Sequence, residues 1–204
     1  MPPGFDVAAS SEAPADVSPG KIILLNGASS SGKSSLARVL QATLPGPFWH
    51  FSIDHLMAAS VLPQQRIDSG EFSWRDLRHH FFEGFHRCLP ALARGGNNLI
   101  VEHIVETEDW MNRLLFLLAD FGIYFVGVHC ALPELERRAT ARGIRKLDEA
   151  RADHEVTHTF GRYDLEVDTT SEQPQQIGAA LVAAWKTRQR PSTFEKMASR
   201  EERA

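Results

Sequence analysis

Gly27, Gly32, Lys33 and Ser34 stand in the spacing G-x-x-x-x-G-K-[ST] inside the stretch LLNGASSSGKSSL. Small residues in such a turn let consecutive backbone N–H groups point inward around an anion. The positive end of a following helix points at the same anion. Ser30, Ser31 and Ser35 complete the small lining that the turn requires. Lys33 brings a mobile positive charge to the terminal phosphates of a nucleotide, and the Ser34 hydroxyl can ligate magnesium. The pattern predicts a site for a nucleoside triphosphate tail. It does not say what becomes of the phosphate.

Other residues bear on that question. A guanine-reading N-K-x-D does not occur, which removes the main sign of a switch GTPase. A kinase needs a group near the transferring phosphate that can orient and deprotonate an acceptor. Asp54 ends the apolar run FWHFSID, and a carboxylate there could take an alcohol's proton. Position favours that role, although aspartate also serves as the cap of a helix such as one beginning at DHLMAAS. Glu102 ends NNLIVEHI and could hold magnesium through water, or simply bond to backbone at a strand end. Arg138 and Arg142 are four apart, hence on one helix face, and Arg145 follows just past Gly143. That spacing suits a lid in which one guanidinium stacks on adenine while others clamp phosphates. It also suits a solvated helix end.

These residues need a scaffold that holds them at one edge. Short apolar runs begin at Lys21, Phe48, Asn97, Ile123 and Asp164. Continuous apolar runs of this length suit strands of a parallel sheet buried on both faces. Between and after them Ser34 to Leu44, Trp74 to Ala93, Thr107 to Phe121, Pro133 to Arg142 and Gln175 to Lys186 carry helical spacing. The alternation predicts an α/β three-layer sandwich with about five parallel strands and helices on both faces. In such sheets ligands sit beyond the carboxyl ends of the strands, where the phosphate loop, Asp54 and Glu102 all fall.

Composition narrows the function further. The chain has 204 residues, 43% of them hydrophobic, enough for one domain with a real core. We expect that domain at 21–187, between a Pro-, Ala- and Ser-rich leader at 1–20 and a charged end at 188–204, a peripheral helix or loose tail. A net charge of −4 argues against binding a nucleic-acid backbone, and no window reaches the ~18 apolar residues of a membrane span. Cys88 and Cys130 lie far apart in apolar stretches and read as two buried, reduced thiols, which fits the cytoplasm. His79 and His80 lack partners at metal-ligand spacing. His103 reads as a wall of an acceptor pocket or as a structural histidine. Trp49, Met57, Leu62, Phe72 and Trp74 could wall an apolar acceptor site or belong to plain core.

Taken in order, IILLNGASSSGKSSLARVLQATLP, FSIDHL, LIVEHI, ARGIR and HTFGRYDLEVDTT resemble the chloramphenicol phosphotransferase family of P-loop kinases, from about Lys21 to Trp185. The resemblance implies ATP and magnesium, a small hydroxylated acceptor, Asp54 as the base, and Arg138, Arg142 and Arg145 as lid arginines. It also implies a place for His158 near the lid hinge. Members acting on chloramphenicol carry an aspartate pair where Glu102 and His103 stand here, and a longer segment after the aspartate. The resemblance therefore carries nucleotide handling but not the identity of the acceptor. The alternative from another class is a nucleotide-binding regulatory module or NTPase with little acceptor kinase activity.

Overall fold

The computed structural model describes residues 17–142 and 147–199. Five strands, β1 (Ile22–Asn26), β2 (Phe48–Ser52), β3 (Asn98–His103), β4 (Ile123–His129) and β5 (Leu165–Asp168), form one parallel sheet in the order β2-β3-β1-β4-β5. The chain runs from the centre to one edge, returns beside β1, then crosses to the other side. The order reverses around β1, so the crevice beyond its carboxyl end is where a ligand is expected.

Alternation along β1 builds both halves of the core, because successive side chains point to opposite faces. Ile22 and Leu24 meet α4 (Trp74–Arg94), α5 (Glu108–Leu118) and α9 (Thr193–Ala198) through Phe85, Leu89, Leu114, Leu118 and Phe194. Ile23 and Leu25 meet α1 (Lys33–Thr43) and α8 (Pro174–Lys186) through Leu36, Leu40, Ile177, Leu181 and Trp185. Every residue of β1 is buried. The edge strands differ from expectation: β2 is half-buried in the middle and β5 alternates between half-buried and exposed, because each has a neighbour on one side only.

Further elements complete the chain. α2 (Ile53–Ala58) and α3 (Gln64–Asp68) occupy the segment after β2; α6 (Leu132–Arg142) and α7 (Leu147–Val156) lie between β4 and β5. Helix α9, within the segment expected as a peripheral helix or loose tail, buries Phe194 completely, and Asp164 Oδ1 accepts the Thr193 N–H at 2.6 Å. One thiol needs correction. Cys130 is buried, but Cys88 is exposed, because it lies off the α4 stripe of Phe85, His86, Leu89, Pro90 and Ala93.

Where α4 crosses the end of β3, two imidazoles meet inside the core. Nε2 of His86 lies 2.7 Å from Nε2 of His103, and the rings stack with centroids 5.0 Å apart. Burial holds both well below the usual histidine range, His86 at about 4 and His103 at about 3, so the pair is neutral at pH 7. An unfolded chain takes up protons on these rings near pH 6.5, whereas the folded chain resists until about pH 4. Stability from the pair is therefore full above pH 6.5 and declines as pH falls toward 4, by up to ~1.4 kcal/mol per pH unit for each ring. Melting temperatures between pH 7.5 and 4.5 should fall less steeply in His86→Gln than in the parent. Parallel slopes would show that the pair does not couple to folding.

Candidate active site

Gly27 leaves β1 where no side chain fits, since a Cβ there would stand 2.5 Å from the Val128 carbonyl oxygen. Three residues later in the turn the backbone becomes left-handed, at Ser30 (φ 65°) and again at Gly32 (φ 93°), the cap of α1. Left-handed backbone at a non-glycine residue is uncommon and clusters at functional turns. The turn brings Lys33 back over itself, and its Nζ donates to the carbonyls of Gly27 at 2.7 Å and Ala28 at 2.8 Å. α1 has no side-chain cap, which leaves its first N–H groups without a capping side chain at the loop.

Across from the loop, the Ser34 hydroxyl donates to Oε2 of Glu102 at 2.9 Å, and Oε1 of Glu102 bonds to Nε2 of His50. Burial works to raise the Glu102 pKa. The His50 bond, the Lys33 charge and the Ser34 bond outweigh it, and the carboxyl sits below its usual range. It is ionised at neutral pH. A carboxylate and a hydroxyl side by side are hard oxygen donors of the kind magnesium accepts when phosphates supply other positions.

Asp54 sits in the first turn of α2, but it is not the cap. Ser52 is, with Oγ accepting the His55 N–H at 3.2 Å. The Asp54 side chain is exposed and lines a cleft of about 380 Å³ together with Ser29, Ser30, Gly32, Lys33, Ser34, Glu102 and His103. Beyond Glu102 a side slot of about 60 Å³ is walled by Ile53, Phe82, Phe85, Ile104 and Glu106. None of Trp49, Met57, Leu62, Phe72 or Trp74 lines either space. Trp49 is 49% exposed on the edge strand, Phe72 lies under the Arg66 guanidinium, and Trp74 packs on Phe81.

A second pocket, of about 220 Å³, lies on the other side of the loop, lined by Ser30, Gly32, Ser35, Leu36, Arg138 and Thr169 among others. Arg138 is held there by three bonds: Nη2 to the Thr169 carbonyl at 2.6 Å, Nη1 to Thr169 Oγ1 at 3.2 Å, and Nε to Glu134 at 2.7 Å. Thr169 in turn donates to the Ser31 carbonyl at 2.6 Å, tying the end of β5 to the phosphate loop. Arg142 is described only by its place at the end of α6, and Arg145 lies outside the described residues.

Behind the loop, Asn26 organises a polar knot. Its Nδ2 donates to the Tyr163 hydroxyl and the Thr157 carbonyl, each at 2.8 Å, and its Oδ1 accepts the Val105 N–H at 2.9 Å. Nδ1 of His158 lies 2.7 Å from the same hydroxyl, and its ring stacks on His129 at 3.9 Å. Burial pushes the Tyr163 hydroxyl up to about 12, so it stays protonated. His158 thus sits just past the end of α7. His50, Thr169, Phe82 and Phe85 enter the site without having been singled out for it; alternation places His50 on the same β2 face as Ser52, but the pairing with β3 is not legible locally.

Among solved structures, the APS kinase CysC of Mycobacterium tuberculosis, in complex with AMPPNP and APS, superimposes with a TM-score of 0.61. It is 19% identical over 82% of this chain and 98% of that one. A gluconokinase from Sinorhizobium meliloti gives a TM-score of 0.60 at 18% identity, over 84% and 94% of the two chains. Both show that the fold is that of P-loop kinases. A curated protein of Mycobacterium tuberculosis named "Putative O-phosphotransferase" is 27% identical, over 89% of each chain. Residues 20–186, which include the phosphate loop, all five strands and α8, match the model for chloramphenicol phosphotransferase-like proteins. The chain belongs to the chloramphenicol phosphotransferase-like family.

Proposed function

We propose that the protein is an ATP- and magnesium-dependent kinase that transfers the γ-phosphoryl group to a hydroxyl of a small antibiotic-like or metabolite acceptor. The observation that carries this reading is the placement of Asp54 and the phosphate loop on one cleft, with the Arg138 pocket on the opposite side of the loop. A triphosphate laid along the loop would put its nucleoside toward Arg138 and its terminal phosphate toward Asp54.

Each residue then has a part. Loop N–H groups and the start of α1 hold the phosphates, and Lys33 turns from the loop carbonyls to the terminal phosphates. Ser34 and Glu102 would hold magnesium, which when bound neutralises phosphate charge. His50 keeps Glu102 oriented and ionised. Asp54 orients the acceptor hydroxyl: its oxygen bonds to the γ-phosphorus, the bond to the β–γ bridging oxygen breaks, and the proton passes to the Asp54 carboxylate. ADP and the phosphate ester leave. Such transfer depends mostly on positioning and electrostatics, which the cleft supplies from several elements at once.

Lys33→Ala removes charge-assisted bonds worth roughly 1.5–3 kcal/mol each, so nucleotide binding measured by calorimetry should weaken at least ten- to hundredfold while the fold persists. Parent-like binding would refute the nucleotide assignment. Asp54→Asn keeps the size of the side chain but cannot accept a proton at neutral pH. Transfer to an alcohol should fall about 10²–10⁴-fold, with nucleotide affinity nearly unchanged. Parent-like transfer in this variant would remove Asp54 from the proton transfer and leave positioning by the rest of the cleft as the source of catalysis.

A further inference from the structure

Asp153, near the end of α7, reaches the phosphate loop: its Oδ2 accepts the backbone N–H of Ser29 at 3.2 Å. The contact is built from behind. Asn26, 1% exposed at the end of β1, holds the Thr157 carbonyl. Thr157 is fully buried and returns its N–H to the Asp153 carbonyl at 3.0 Å. The strand that launches the loop therefore also fixes the helix turn that presents the carboxylate. Ser29 lies on the Asp54 side of the loop, since it lines the main cleft but not the pocket of Ser30, Gly32, Ser35 and Arg138.

We propose that Asp153 stands in for the terminal phosphate on the Ser29 N–H and sets how the site discriminates triphosphate from diphosphate. The inference rests on the nucleotide reading above. Both groups are anionic, and one N–H cannot serve both at full strength. A triphosphate must displace the carboxylate or bind against its charge. A diphosphate ends short of Ser29 and leaves the Asp153 bond in place. Asp153 thereby lowers affinity for the donor relative to the spent nucleotide, and it refills the N–H once the phosphoryl group has gone. It is a positioning residue whose effect depends on the length of the phosphate chain. A merely structural role would not show that dependence.

The test is calorimetric titration of the full chain with AMPPNP and with ADP, each with magnesium. Asp153→Asn can still accept the N–H but lacks the charge. It should bind AMPPNP about three- to tenfold more tightly, with ADP affinity changed less than twofold. Asp153→Ala, which removes bond and charge together, should shift the ratio the same way and serves if the asparagine variant does not fold. An unchanged ratio, an equal gain for both nucleotides, or weaker AMPPNP binding would overturn the proposal. If the parent protein binds neither nucleotide, the nucleotide reading fails and this inference falls with it; if it binds both and the ratio does not move, this inference alone fails.

Discussion

At the turn from β1 into α1, backbone N–H groups converge where the sheet order reverses, and buried N–H groups need acceptors. Some find them within the protein, as Ser29 does at Asp153 and Ser31 at the Ala28 carbonyl. The open start of α1 adds a positive end to the same concavity. Much of the surrounding structure makes sense as support for that concavity. β1 is buried on both faces and cannot shift; Asn26 ties its end to α7 and to the segment after β3; Thr169 ties the far side to β5. A loop braced in this way keeps donors aimed at one point, the arrangement on which electrostatic preorganisation depends.

The side of the cleft that the proposed function gives to the acceptor is built on a different principle. Its walls come from α2, from the end of β3 and from α4, and they combine the Asp54 and Glu102 carboxylates with Phe82, Phe85 and the neutral His103 imidazole. In the proposed kinase such a surface would set the acceptor by shape and apolar contact, with a few polar groups for orientation. Family membership and the P-loop kinase fold account for the loop half. The segment after Asp54, with its short helices α2 and α3, is where this chain's own specificity would reside.

The phosphate loop was legible because its chemistry is local: eight residues carry spacing, small size and charge together. The parallel α/β sandwich was legible for a similar reason, since apolar runs alternate with helical spacing along the chain. What stayed hidden depends on pairing between distant residues. The bond from His50 to Glu102 joins residues 52 apart, and it exists because β2 and β3 pair with Ser52 beside Glu102. The His86–His103 contact requires α4 to cross β3, which no periodicity reports. The cap reading of Asp54 fell only when Ser52 proved to be the helix cap, a local geometry that either reading of the sequence allowed. Edge strands were expected to be buried like central ones, because position in the sheet is a tertiary fact.

In the proposed reaction the cleft passes a phosphoryl group from a nucleotide on the loop to a hydroxyl near Asp54. The most direct measurement follows label from γ-³²P ATP in the presence of magnesium and a panel of hydroxylated antibiotics and metabolites, chloramphenicol included. Label should appear on at least one alcohol as a phosphate ester, formed by the parent protein and not by the boiled control. Label recovered only as inorganic phosphate, at a rate indifferent to every alcohol, would contradict it.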